Sequence, residues 1–329
     1  MKKQILAPSI LALFVASAAH AGATFDTAAG TLNLGADVEF DYTSQGGEKL
    51  DNGAIVSADV NFEAKGRLLL DINGEKVLDN GNFAGFKLNP VWGQNGSRGA
   101  DDVWIKFGQK DNWNIQAGHF EATDLSSAGQ DTYIAESGTL MYRASEARGR
   151  TADDSNGDGQ VTFTKTLDAA NFELTAQSRD SGDYVIVRPA VTFAAENVSV
   201  AFGAEVPVVD SADLYDWFGL GATATVQATD DLALTVRAAL LEDKKADTQS
   251  YTAGLNAQYQ NFFIAALYGE TDTQATTAET QVYASYKIPG VLDIDNFDIY
   301  LGAGWSEAEV LGTTLDDVFG GRVRLKYVF

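Results

Sequence analysis

The chain has 329 residues, 45% of them hydrophobic, yet beyond its first 21 residues it carries no uninterrupted run of about 20 apolar side chains, which excludes a bundle of membrane-spanning helices. Cysteine is absent, excluding disulfides, thiolate nucleophiles and Cys-ligated metals, while 32 glycines, 18 phenylalanines and 12 tyrosines favour many short strands over a helix-rich enzyme. The 46 acids against 23 bases leave a net charge of −23, which repels phosphate backbones and excludes nucleic acid as a partner.

Residues 1–21 read as a secretory signal peptide: Lys2 and Lys3, an apolar run from Ile5 to Val15, then the small-residue triplet Ala19-His20-Ala21 before Gly22. The apolar run is too short to span a membrane. The expected organisation is a cleaved leader, 1–21, and one exported domain, 22–329.

A period of two then runs along the chain. In 31–42 the apolar set Leu32, Leu34, Ala36, Val38, Phe40 and Tyr42 alternates with Asn33, Gly35, Asp37, Glu39 and Asp41, giving a strand one greasy and one charged face. The pattern recurs at 58–65, 103–108 and 251–259, and about sixteen such segments can be counted. Tight turns such as 110–112, 168–171, 195–197, 229–231 and 260–261 alternate with longer polar loops such as 242–249 and 271–277. Short turns on one rim and long loops on the other describe a transmembrane antiparallel β-barrel of the outer membrane, all-β, with about 16 strands and a lumen wide enough for water. The last segment alternates Val323, Leu325, Tyr327 and Phe329 with Arg322, Arg324 and Lys326. A terminal aromatic after such a strand resembles the assembly signal of outer-membrane barrels.

One connection, from Glu121 to Gly159, is too long to be a turn, and loops of that length are generally functional or disordered. It is the third on the long-loop rim. Leu125, Tyr133, Ile134, Leu140, Met141 and Tyr142 give it apolar side chains to pack on a wall. Within and beside it, Gly118-His119-Phe120-Glu121-Ala122-Thr123-Asp124, Gly129-Gln130-Asp131-Thr132-Tyr133 and Glu146-Ala147-Arg148-Gly149-Arg150 resemble the corresponding stretch of glycoporins of the raffinose-porin type, Gram-negative outer-membrane channels that admit oligosaccharides. The resemblance implies a sugar-permeable channel, a third loop folded into the lumen, and a homotrimer embedded among outer-membrane lipid and lipopolysaccharide.

Alternation also sorts the lumen. Lys65, Arg67, Lys87, Lys106, Arg188, Arg237, Lys287, Arg322, Arg324 and Lys326 face inward with Asp37, Glu39, Asp41, Asp59, Glu63, Asp71, Glu173, Glu205 and Asp298, a nearly balanced wall suited to uncharged solutes with a weak cation preference. The loop acids Glu121, Asp124, Asp131 and Glu136 are placed to oppose basic residues, of which Arg67, Lys106, Arg322 and Arg324 are the candidates, and to set a transverse field across a constriction; equally, they can be solvated loop acids. Sugar rings stack their C–H faces on aromatics and bind hydroxyls through charged or amide groups, so inward Trp104 and the loop's Tyr133 complete the candidate solute path. Trp113 and Trp305 fall on the outward set, as members of an interfacial aromatic belt.

Catalysis finds no footing, because His119 is the only histidine beyond the leader and a nucleophile relay needs histidine beside serine and a carboxylate. No catalytic residues and no cofactor are assigned. Asp154-Ser155-Asn156-Gly157-Asp158-Gly159 matches the start of an oxygen-ligand calcium loop, making Asp154, Asn156 and Asp158 candidate structural calcium ligands. The twelfth position is Lys165 rather than a bidentate glutamate, and a plain Asx/Gly turn accounts for the same residues. The functional expectation is passive diffusion of small hydrophilic solutes, oligosaccharides above all. The alternatives are a general non-specific porin and a plugged barrel acting as surface receptor or adhesin.

Overall fold

The computed structural model of the chain describes residues 22–51, 54–126, 129–137, 142–143, 159–179, 184–210, 216–272, 277–310 and 312–329. Among these, eighteen β-strands form one antiparallel sheet. They are β1 (Ala23–Thr27), β2 (Gly30–Asp51), β3 (Ala54–Val77), β4 (Asn82–Gly93), β5 (Arg98–Gln109), β6 (Trp113–His119), β7 (Gly159–Leu167), β8 (Ala170–Arg179) and β9 (Tyr184–Ala195) in the first half. The second half supplies β10 (Val198–Asp210), β11 (Trp217–Thr229), β12 (Leu232–Asp243), β13 (Thr248–Tyr259), β14 (Phe262–Asp272), β15 (Thr277–Ile288), β16 (Phe297–Val310), β17 (Thr313–Thr314) and β18 (Val318–Val328).

Each barrel strand hydrogen-bonds to its sequence neighbour, and β18 returns to pair with β2 from Phe319↔Gly46 to Val328↔Asp37, so no edge is left open. Sixteen strands, β2–β16 and β18, make the wall. β1 lies along the foot of β2, where Ala23 faces Leu34, and β17 is a two-residue rung on β16. Mutual backbone bonds at Ala36 and Phe329, 2.6 and 3.0 Å, lock the seam. Closure is what lets a strand cross lipid, because every backbone N–H and C=O then has a partner inside the wall. Among the described residues no helix is long and apolar enough to cross a membrane; the strands do the crossing. Pro90 and Pro207 both sit at register shifts, where a missing N–H costs the ladder least.

The period of two fixes the faces. Along the outside, Leu255, Val236, Ile264 and Phe202 are exposed as a lipid-facing band, while their neighbours Asn256, Arg237, Phe263 and Ala201 are buried inside. Aromatics gather at both rims. At the long-loop rim Tyr251 and Tyr268 donate to Glu270, and Trp305 Nε1 donates to Asp317 Oδ2 at 3.0 Å. At the short-turn rim Tyr327 packs against Phe297 and Phe329, with ring centroids 6.1 and 5.4 Å apart.

Candidate functional site

The long loop leaves the wall early. β6 is only seven residues long, so the chain turns inward at Phe120 partway up the barrel. Its described residues are then fastened, one after another, to inward-facing groups around the wall. Gln160 of β7 donates to Phe120 O at 2.7 Å, and Glu173 of β8 accepts both the Thr123 N–H at 3.0 Å and its hydroxyl at 2.8 Å. Leu125 is buried against Ala201, its carbonyl accepts from Thr223 of β11 at 2.5 Å, and Arg237 of β12 donates to Ser126 O at 3.0 Å. Gln130 reaches Ser285 of β15 at 3.0 Å.

The loop's far end meets the seam of the barrel. Asp131 accepts from Arg324 at 2.8 Å and from Arg322, both on β18, while Tyr133 donates to Gln45 of β2 at 2.8 Å. Burial pushes the Tyr133 phenol above its ordinary pKa, keeping it a donor there. Glycine makes the close approach possible: a Cβ on Gly302 would stand 2.8 Å from Tyr133 N, and one on Gly304 would stand 2.7 Å from Ala135 N. The returning limb is pinned by Tyr142, whose hydroxyl donates to Glu205 at 2.7 Å; Glu205 in turn pairs with Arg188 at 2.9 Å, all three being buried. The described loop residues therefore line the wall from β7 round to β18 and β2.

Electrostatics at the seam follow from register. Glu39 of β2 lies between Arg67 of β3 and Lys326 of β18, bonding them at 2.7 and 2.6 Å, and Lys326 also reaches Asp37 at 2.9 Å. Arg324 grips Asp41 with two parallel bonds of 2.6 Å, the fork geometry that suits guanidinium to carboxylate. Asp37, Glu39, Asp41 and Asp131 thus balance Arg67, Arg322, Arg324 and Lys326.

The structure gives this layout particular partners. β2 supplies an acid to each of Arg67, Arg322 and Arg324. Of the four loop acids, Asp131 touches β18 directly rather than acting across a gap; Glu136 pairs with Arg143 of the same loop at 3.1 Å; and Asp124 accepts the Ser126 N–H at 2.7 Å, bending its own backbone. Asp124 and Glu121 instead line a cavity of about 630 Å³ with Lys106, Glu173 and the hydroxyls of Thr162, Thr192 and Thr223. There the opposition of loop acids to a wall cation is met by Lys106 alone. Lys106 also stands over the ring of Trp104, 5.1 Å from its centroid. Asp154, Asn156 and Asp158 lie outside the described residues, as does the expected leader 1–21.

Some members of the site escaped sequence reading: Glu173, read as an inward wall acid but not as a loop anchor, the Glu205 partner of Tyr142, and Gly302 and Gly304 as the trough beneath Tyr133. One signal was available. The run Phe262–Tyr268 in β14 is continuously apolar, and Phe263, Ala265 and Leu267 are buried on the inner face, where Ile134 of the loop packs on the Phe263 cluster. A strand with lipid on its outer face and apolar loop side chains on its inner face meets apolar surroundings on both, and its sequence loses the polar half of the alternation.

Comparison with known proteins agrees with this architecture. The family model described as porin-like glycoporin RafY matches residues 33–329. The chain belongs to that family. The porin also shares its fold with a Rhodopseudomonas blastica porin triple mutant, at 14% identity and a TM-score of 0.59, covering 89% of this chain and 100% of that one. A double mutant of the same porin aligns at 14% identity and a TM-score of 0.58, again over 89% and 100%. An engineered protein studied for asymmetric conductivity aligns at 13% and 0.59, over 90% and 100%. Among curated proteins no match is found. The porin is an outer-membrane, multi-pass β-barrel channel for passive diffusion of small hydrophilic solutes, and not an enzyme.

Proposed function

We propose that the lumen passes neutral oligosaccharides along its β2–β6 side, with Trp104 as a stacking platform and Lys106, Glu121 and Asp124 as partners for ring hydroxyls. The observation that carries this reading is an inward, half-buried indole beside charged and amide groups in a chain of glycoporin family. Apolar C–H faces stack on indole, and each hydroxyl needs a donor or acceptor once it leaves water. The paired charges at the seam support the same reading, since a balanced wall neither concentrates nor expels ions strongly.

The working assembly in this reading is a homotrimer among outer-membrane lipid and lipopolysaccharide, formed after removal of residues 1–21. Two experiments test it. Sugar added to purified protein in a planar bilayer should reduce ion current saturably; current falling only in proportion to solution viscosity would mean a general, non-binding porin. Gel migration before and after boiling should convert a trimer band to a monomer band, and a monomer band in mild detergent without heating would contradict the assembly.

A further inference from the structure

Five inward side chains stand side by side in one cross-strand row, on five consecutive strands. Thr24 of β1 faces Asn33 of β2, Asn33 faces Asn73 of β3, Asn73 faces Lys87 of β4, and Lys87 faces Trp104 of β5. Their chain neighbours Leu34, Phe86, Val103 and Ile105 are exposed on the lipid side, which fixes the row as luminal. Beyond Trp104 the row continues at Gly118 of β6, where a Cβ would approach that of Trp104 to 3.1 Å, so glycine keeps the indole's flank clear.

The polar part of the row is wired in one direction. The Thr24 hydroxyl donates to Asn33 Oδ1 at 2.9 Å, Asn33 Nδ2 to Asn73 Oδ1 at 2.9 Å, and Asn73 Nδ2 to Asp71 Oδ1 at 3.1 Å. Each amide is thereby held in one orientation with one hydrogen engaged and its second hydrogen left for a solute. Lys87 is held by Asp102 at 3.2 Å, so the row's charges come paired. Asn33, Asp71, Asn73, Lys87, Trp104 and Lys106 line one cavity of about 520 Å³, within the usual size of a small-molecule site.

We infer that this row is a binding rail for a neutral, extended oligosaccharide, the amides of Asn33 and Asn73 donating to hydroxyl oxygens of successive rings while Trp104 stacks on another ring. The inference rests on the sugar-channel reading and names its subsite. Adjacent strands are about 4.8 Å apart, so Asn33 to Trp104 spans about 14 Å, a length for linked rings rather than a single one. Because barrel strands tilt by roughly 35–45°, a cross-strand row is inclined, and an occupant sliding along it also moves along the pore. A strongly anionic solute would meet Asp71 and Asp102, and a strongly cationic one Lys87 and Lys106, which leaves neutral polyols favoured.

The test is block of ion current by maltotriose, titrated against the full chain in planar bilayers. Asn33→Ala, Asn73→Ala and Trp104→Ala, on three different strands, should each raise the half-blocking concentration about fivefold or more, the scale of one lost hydrogen bond or stacking contact. Thr225→Ala, on the wall of β11, should leave it within twofold. If the unmutated protein shows no saturable block, the sugar-channel reading itself fails. If it is blocked and Trp104→Ala weakens the block while Asn33→Ala and Asn73→Ala match the unmutated protein, the sugar-channel reading stands and the rail is wrong; if all three match, the rail is wrong and sugar passes without Trp104.

Discussion

Asp131 and Arg324 are 193 residues apart in sequence and 2.8 Å apart in space, and the same guanidinium holds Asp41 of β2. One arginine thus ties together the first long barrel strand, the last one and the loop that crosses between them. Replacing Asp131 with asparagine removes a negative charge beside Arg322 and Arg324 while preserving shape. Reversal potentials in a potassium chloride gradient should shift toward anions, more so at 0.01 M than at 1 M salt, because screening lengths fall from about 30 Å to about 3 Å. An unchanged reversal potential would mean that the seam does not face the ion path.

Gly302 and Tyr133 define how closely the loop lies against the wall. Gly302→Val would drive side-chain atoms into Tyr133 N, which is already 2.8 Å from an ideal Cβ position. The barrel should still form, since β16 tolerates valine by strand propensity, but the loop should lift and single-channel current should become noisy or altered in size. Quiet steps of the original size would show that Tyr133 is not seated there.

Tyr142 and Glu205 supply the loop's second anchor. Tyr142→Phe leaves the buried Glu205 with Arg188 but without its phenol donor, a loss of about 1.5–3 kcal/mol for a hydrogen bond to a charged group. Urea unfolding from lipid vesicles should show a lower midpoint with an unchanged slope. No change in midpoint would remove Tyr142 from the set of anchors.

Leu255 and Asn256 test the faces of the wall. Leu255 is 55% exposed toward lipid and Asn256 only 5% exposed toward the lumen. Leu255→Arg should cost about 2–4 kcal/mol near the membrane midplane, whereas Asn256→Gln should cost far less in the same vesicle assay. Equal costs would place the register of β13 in error.

The faces of the wall were legible because a side-chain period of two needs no partner to be read: Leu32 to Tyr42 declare one greasy side wherever the strand lies. Register is different, since alternation says which way Asn33, Asn73 and Trp104 point but not that they share one cross-strand row; that depends on turn geometry and on closure of β18 onto β2. The loop's length and its resemblance to glycoporins were equally visible. That loop acids oppose bases such as Arg322 and Arg324 was also legible; which acid meets which base was not, because Asp131 reaches Arg322 and Arg324 only once the barrel has brought the chain's end beside its beginning. Alternation put Glu39 and Asp41 on the same inward face as Arg67, Arg322 and Arg324, but only the register makes them immediate cross-strand partners. The unbroken apolar run in β14 marked where the loop would lie and was readable in principle.

This architecture makes the lumen a water-filled passage narrowed by the loop after β6. Single-channel conductance of the purified protein, compared with a variant lacking residues 122–145, tests it most directly. Stable steps that grow larger on deletion, from a variant that still shows heat-modifiable gel migration, are the result this architecture predicts. An absence of steps, or steps of identical size with and without the loop, would contradict it.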